Sequence, residues 1–156
     1  MKTKGFIYTL ILIVIILVFG KCNKDCGLCF TPPSETRFSI ASKTDTSDLI
    51  YTGQYQEDSI RLYYMNNGVK TDIEFIVFED TLKERTVIIS QEISWKSNEG
   101  FKQFYLRLNT QETDTMFLNV VTKTEDCCTF HVVEAFRING QELYTDHAIF
   151  AYVYLK

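Results

Sequence analysis

From residue 36 to residue 155, apolar and polar side chains alternate with a period of two, in short runs broken by turn-forming clusters. That period belongs to strands with one buried and one wet face; an amphipathic helix would repeat every 3.6 residues. Thr36–Ser42 puts Phe38 and Ile40 on one face. Ser59–Met65 sets Ile60, Leu62 and Tyr64 against Arg61 and Tyr63. Asn66-Asn67-Gly68 is a strong hairpin turn, so Val69–Phe78 is predicted to return beside it, with Ile73, Phe75 and Val77 opposite Asp72 and Glu74. Arg85–Trp95 carries Val87, Ile89, Ile93 and Trp95 and reads as one strand, ended by the Lys96–Gly100 turn. Phe101–Leu108 and Thr115–Thr122 alternate cleanly on either side of the Asn109–Asp114 turn. Thr129–Ile138, a second hairpin signal at Asn139-Gly140, Gln141–Tyr144 and Ala148–Leu155 complete the series. Aromatic residues make up 14% of the chain and only 2 prolines occur, which suits strands. Eight to ten short strands with no helix among them predict a single all-β domain. The expected form is an antiparallel β-sandwich, immunoglobulin-like in the loose sense, with a small closed β-barrel as the alternative.

Two runs depart from simple alternation. In Thr129–Ile138, Glu134 falls among Phe130, Val132, Phe136 and Ile138. A β-bulge that resets the alternation and sends Glu134 to solvent is expected in preference to a buried carboxylate. In the last strand both faces are apolar or aromatic. With Ile149, Ala151 and Val153 assigned to the core, Phe150, Tyr152 and Tyr154 face outward and form the candidate binding face, together with outward Tyr63 and Tyr105 elsewhere.

The chain opens with Lys2 and Lys4, then an apolar run of 14 residues from Phe6 to Phe19. A spanning helix needs roughly 20, so the run reads as an export signal over residues 1–21. Val18-Phe19-Gly20-Lys21-Cys22 follows, and a cysteine at this place resembles the acceptor of bacterial lipoproteins. Lys21 departs from the small residue usual before that cysteine, and an uncleaved anchor helix is the alternative. Residues 22–35 read as a tether and residues 36–156 as the folded domain.

Five cysteines are an odd number for an exported chain; a lipid on Cys22 leaves four. Adjacent Cys127 and Cys128 grip a zinc ion poorly, since such sites want two separated C-x-x-C knuckles. Cys26 and Cys29 precede Thr31-Pro32-Pro33, an extended stretch rather than the helix start of a redox motif. Structural disulfides fit an oxidising compartment best, each of Cys26 and Cys29 pairing with one of Cys127 and Cys128. Both bridges to one short segment call for a turn or bulge at Asp126-Cys127-Cys128, and the preceding Thr-Lys-Thr-Glu-Asp supports a turn.

Three pieces, Cys26–Pro33, Ile93–Trp95 and Glu125–Phe130, resemble a family of small Bacteroidota lipoproteins that share Cys-x-x-Cys-Phe-Thr-Pro-Pro and Glu-Asp-Cys-Cys motifs. The resemblance implies a lipid-anchored place in the cell envelope, at the outer membrane and facing the surface or the periplasm. It implies no activity. Asn23-Lys24-Asp25 is similar to the short signal that directs such lipoproteins to the cell surface. Asp58-Ser59-Ile60, Asp80-Thr81-Leu82 and Asp114-Thr115-Met116 each resemble the acceptor of O-glycosylation in those bacteria.

Removing residues 1–21, which hold three lysines and no acid, takes the net charge from −4 to −7. A domain that acidic has no electrostatic footprint for nucleic acid. No nucleophile elbow, phosphate-binding glycine loop or H-E-x-x-H is present, so no catalytic, metal or cofactor residue is assigned. His131 reads as a surface side chain in mid-strand, and His147 lies in a loop beside Asp146. The expected function is a non-catalytic module that binds an envelope protein or glycan. The alternative is a structural accessory subunit of an envelope assembly with no ligand of its own.

Overall fold

A computed structural model describes residues 29–125 and 128–156. The domain is a β-sandwich of two sheets that do not close into a barrel. The strands are β1 (Thr36–Ala41), β2 (Arg61–Asn66), β3 (Val69–Ile73), β4 (Ile76–Asp80), β5 (Arg85–Ser90), β6 (Gln103–Arg107), β7 (Thr113–Glu125), β8 (Cys128–Ile138), β9 (Gln141–Glu142), β10 (Tyr144–Asp146) and β11 (Ala151–Leu155). A 3-10 turn, Glu57–Ser59, precedes β2, and one helix, α1 (Glu92–Asn98), follows β5. The small sheet runs β10-β11-β1-β5-β4 and the large sheet β3-β2-β6-β7-β8-β9. Phe38, Ile40, Leu62, Ile88, Phe104, Leu106, Met116, Leu118 and Ile138 fill the space between them, each almost wholly buried.

Both Asn-Gly turns form where the sequence places them. Asn67 and Gly68 have φ of 50° and 81°, Asn139 and Gly140 of 50° and 77°. Two successive positive φ values match the right-handed twist of the strands they join, and Asn and Gly tolerate that conformation. The bulge also forms. Asn119 pairs with Ala135 and Val120 with Val133, so Glu134 is skipped. It is exposed and accepts a hydrogen bond from Asn119 Nδ2 at 3.1 Å. The extra residue turns Val133, rather than Val132, onto the core beside Phe136.

Four expectations are corrected. Val69–Phe78 is not one strand. It breaks at Glu74-Phe75, where the chain leaves the large sheet as β3 and enters the small one as β4. Lys123–Glu125 belongs to β7 rather than to a turn, and Glu125 pairs with Cys128. Arg85–Trp95 ends as a strand at Ser90 and continues as α1. Ile93 and Ser97, four apart, are buried, Glu92 and Lys96 complement the helix dipole, and Gly100 with φ 111° follows its end. The helix stands where β6 would otherwise continue beside β7. Ser97 Oγ donates to Leu118 O and accepts from Val120 N–H, both at 2.8 Å, and Lys102 Nζ donates to Val120 O at 3.2 Å.

The fourth correction concerns the last strand. β11 runs parallel to β1, with Phe38 opposite Tyr152 and Ile40 opposite Tyr154. Phe38 and Ile40 are core residues, so the two tyrosines point inward with them. Tyr154 is 4% exposed, and half-buried Tyr152 packs edge-on against Phe136 at 5.2 Å. Ala151 takes the outer face, where Ile149 covers it with Val87 and Ile89. Only Phe150, with φ +51°, is exposed, at 74%.

Candidate binding groove

Tyr152 and Tyr154 do not form the outward aromatic face expected of them, because Tyr154 is buried and half-buried Tyr152 packs on the same inward side. Tyr154 also joins a polar clasp. Lys156 Nζ lies 2.7 Å from Glu112 and 2.5 Å from Asp114, Asn139 Nδ2 donates to Asp114 at 2.6 Å and to Tyr154 Oη at 3.1 Å, and Tyr55 Oη donates to Glu112 at 3.0 Å. The hydrogen bond from Lys156 holds the Glu112 carboxyl below the usual range, and burial pushes the Tyr55 phenol up to about 12. Despite its partial burial, Lys156 is held above the ordinary lysine value by its two carboxylates, so it is a fixed cation and no nucleophile. The clasp ties the chain's end to both sheets.

A concavity of about 800 Å³ lies instead where β3 crosses to β4. The crossing strips main-chain pairing from Glu74 and Phe75 and opens a groove against α1. Its apolar wall is Phe75, Ile76 and Trp95, with Ile76 64% exposed. Its polar rim is Glu35, Glu74, Glu92 and Lys96. Glu74 N–H donates to Glu92 at 2.7 Å, and Ser90 Oγ donates to Glu74 O at 2.6 Å, so both main-chain groups of Glu74 are held. An apolar wall with a few placed polar groups is the common form of a binding site. Sequence reading missed it because Ile93 and Trp95, two apart, fit a strand's period, while the residue that shares Ile93's buried helix face is the polar Ser97. The short helix signals at Ser90, Glu92, Lys96 and Gly100 could have exposed it.

The described parts of the three segments that carry the lipoprotein resemblance come together around His131, beside this groove. Cys29 and Cys128, 99 positions apart in sequence, form a disulfide. Thr31 N–H donates to Thr129 O and Thr129 N–H to Cys29 O, both at 2.9 Å, so Phe30 adds a short parallel bridge to β8. His131 is not the plain surface side chain expected. Its Nδ1 lies 2.8 Å from Thr31 O, and its ring sits between Phe30 at 5.7 Å and Trp95 at 6.1 Å. Thr36 and Ser94 share a hydrogen bond of 2.7 Å, fixing α1 to the start of β1. The end of the tether is therefore built into the domain on the groove side.

Cys22, Cys26 and Cys127 lie outside the described residues, and the second cysteine pairing with them. Among the described residues no helix is long and apolar enough to cross a membrane. Of the hydroxyls in the three motifs that resemble glycan acceptors, half-buried Ser59 donates to Leu108 O at 2.6 Å, whereas Thr81 and Thr115 are exposed. Tyr63 and Tyr105 do face outward, stacked at 5.1 Å, with Lys70 Nζ 4.5 Å above Tyr63.

No protein-family model matches this chain, no curated protein matches it, and no solved structure matches it.

Proposed function

We propose that the chain is an exported lipoprotein, anchored at the outer membrane through Cys22, which acts as a non-catalytic interaction module of the cell envelope and receives its partner in the groove between α1 and the β3–β4 crossover. The observation that carries the reading is the groove itself. Exposed Ile76 and half-buried Phe75 and Trp95 stand at one concave site, where a lone domain gains nothing by leaving them wet. The Cys29–Cys128 disulfide suits an oxidising compartment. A tether end that packs beside the groove would hold it close to the anchoring surface.

Trp95 is the chain's single tryptophan, so its emission reports on the groove without labelling. The exported chain is titrated with fractionated native envelope material. A saturable change in emission with one fraction, removed by Ile76→Ser at unchanged stability, is the expected result. Emission that no fraction moves, or a change indifferent to Ile76→Ser, overturns the proposal.

A further inference from the structure

Every open sheet ends in edge strands whose unpaired main-chain groups invite another strand, and natural domains blunt them with short length, lysine, proline or a bulge. Of the four edges that the described residues form, β9 has two residues and β10 three. β3 carries Lys70, paired with Asp72 at 3.2 Å. β4 alone is unguarded: Ile76-Val77-Phe78-Glu79-Asp80 holds no lysine and no proline.

The register tells which of its groups are free. Thr86 N–H points away from β4, donating to Asp48 at 3.0 Å, and Thr86 pairs with Glu79. In an antiparallel ladder, residues alternate between bonding inward and bonding outward. Ile76, Phe78 and Asp80 therefore bond to β5, while Val77 and Glu79 aim N–H and C=O at the open edge. On the outer face of this edge Ile76 is 64% and Phe78 53% exposed. On the inner face a cleft of about 380 Å³ is lined by Phe75, Val77, Glu57 and Asp58. No described lysine or arginine forms an ion pair with Glu57, Asp58, Glu74 or Glu79. Arg61 spends its guanidinium on the main-chain oxygens of Asp58 and Ile60.

We propose that the free edge of β4 takes up an extended polypeptide segment of alternating apolar and basic side chains, as a sixth strand of the small sheet. The proposal rests on the interaction-module reading and names its partner. Main-chain bonds to Val77 and Glu79 give the pairing. Successive side chains of the added strand point to opposite faces. One set covers Ile76 and Phe78; the other reaches the carboxylates of Glu57 and Asp58 over Phe75 and Val77. A second copy of this chain is the wrong occupant, since pairing β4 with β4 would bring Glu57, Asp58, Glu74 and Glu79 against their own kind.

The probe is a synthetic heptapeptide of alternating lysine and valine, titrated into the exported chain while amide exchange is followed residue by residue. Binding with protection of the Val77 and Glu79 amides is expected. A glutamate–valine heptapeptide, and a lysine–valine one methylated on alternate main-chain nitrogens, should not bind. Glu79→Pro removes an N–H that the native ladder does not use, so the fold survives while affinity falls at least about tenfold; Glu79→Gln should weaken binding less. Binding that withstands Glu79→Pro and the methylated peptide overturns the proposal, as does failure of the lysine–valine peptide to bind. Concentration-dependent dimerisation that protects the same amides assigns the edge to a second copy and overturns it too. A peptide that shifts Trp95 emission while Val77 and Glu79 keep exchanging refutes strand addition alone and leaves the groove reading standing.

Discussion

Cutting the Cys29–Cys128 bridge should remove a large share of the domain's stability. The bond spans 99 residues, so it closes a loop of nearly the whole fold. In the chain-entropy description, opening a loop of that length frees about 4.7 kcal/mol of conformational entropy in the unfolded chain. The folded state loses little in return. The tether stays on β8 through Thr31 N–H to Thr129 O, Thr129 N–H to Cys29 O and His131 Nδ1 to Thr31 O. Residual structure in the unfolded chain reduces the effect, so about 3 to 4.7 kcal/mol is the expected loss, about 12 to 19 °C in Tm at roughly 4 °C per kcal/mol for a domain of this size. The clean comparison places Cys29→Ser with Cys128→Ser in a chain that already carries Cys26→Ser and Cys127→Ser. Urea unfolding of the two proteins, each fitted with its own m value, gives the difference. A loss below about 1 kcal/mol would refute the loop-closure reasoning. If the same pair of substitutions in the otherwise natural chain has a much smaller effect, a second bridge between Cys26 and Cys127 is holding the loop closed.

Lys156→Met should destabilise the domain by about 2–4 kcal/mol, because it leaves Asp114, with 6% of its side chain exposed, facing a carboxylate without the shared cation; adding Asp114→Asn should restore part of the loss in denaturant unfolding. Glu112 has its folded pKa lowered, so its contribution is present above the unfolded carboxyl value and fades as pH falls through the folded one. Stability measured against pH on the acid side should therefore fall less steeply in Glu112→Gln. Tyr55 has its folded pKa raised to about 12, so stability should decline as pH climbs from 10 toward 12, and Tyr55→Phe should remove that part of the decline. Tyr152→Ser with Tyr154→Ser should lower stability by several kcal/mol, on the order of 3–5 for lost aromatic core volume, where rings on the surface would cost almost nothing.

The sandwich was legible because period two and the Asn67-Gly68 and Asn139-Gly140 turns agree, and because Glu134 broke its strand's pattern at one position only. Which face of β11 is buried was not legible. Ile149 to Leu155 is apolar on both faces, so alternation fixes two sets of residues without saying which set faces in. The parallel pairing with β1 decides it, and that pairing joins segments more than a hundred residues apart. The groove was hidden for a related reason. It depends on a strand that changes sheets at Glu74-Phe75 and on a helix of seven residues, where Ile93 and Trp95 match a strand's period of two and the partner of Ile93 on the buried helix face is a serine, Ser97. The cysteine reading succeeded for Cys29 and Cys128 because it rested on the odd count and the spacing, which bear on chemistry rather than on which face is buried.

The interaction-module account is tested most directly in the native envelope, with a photo-reactive residue placed in the groove by Ile76→benzoylphenylalanine and, as a control, on the exposed outer face of the large sheet by Thr113→benzoylphenylalanine. Illumination of intact cells should give one discrete cross-linked species from position 76, diminished by Trp95→Ala, and none from position 113. No adduct from position 76, or the same adducts from both positions, would contradict the account.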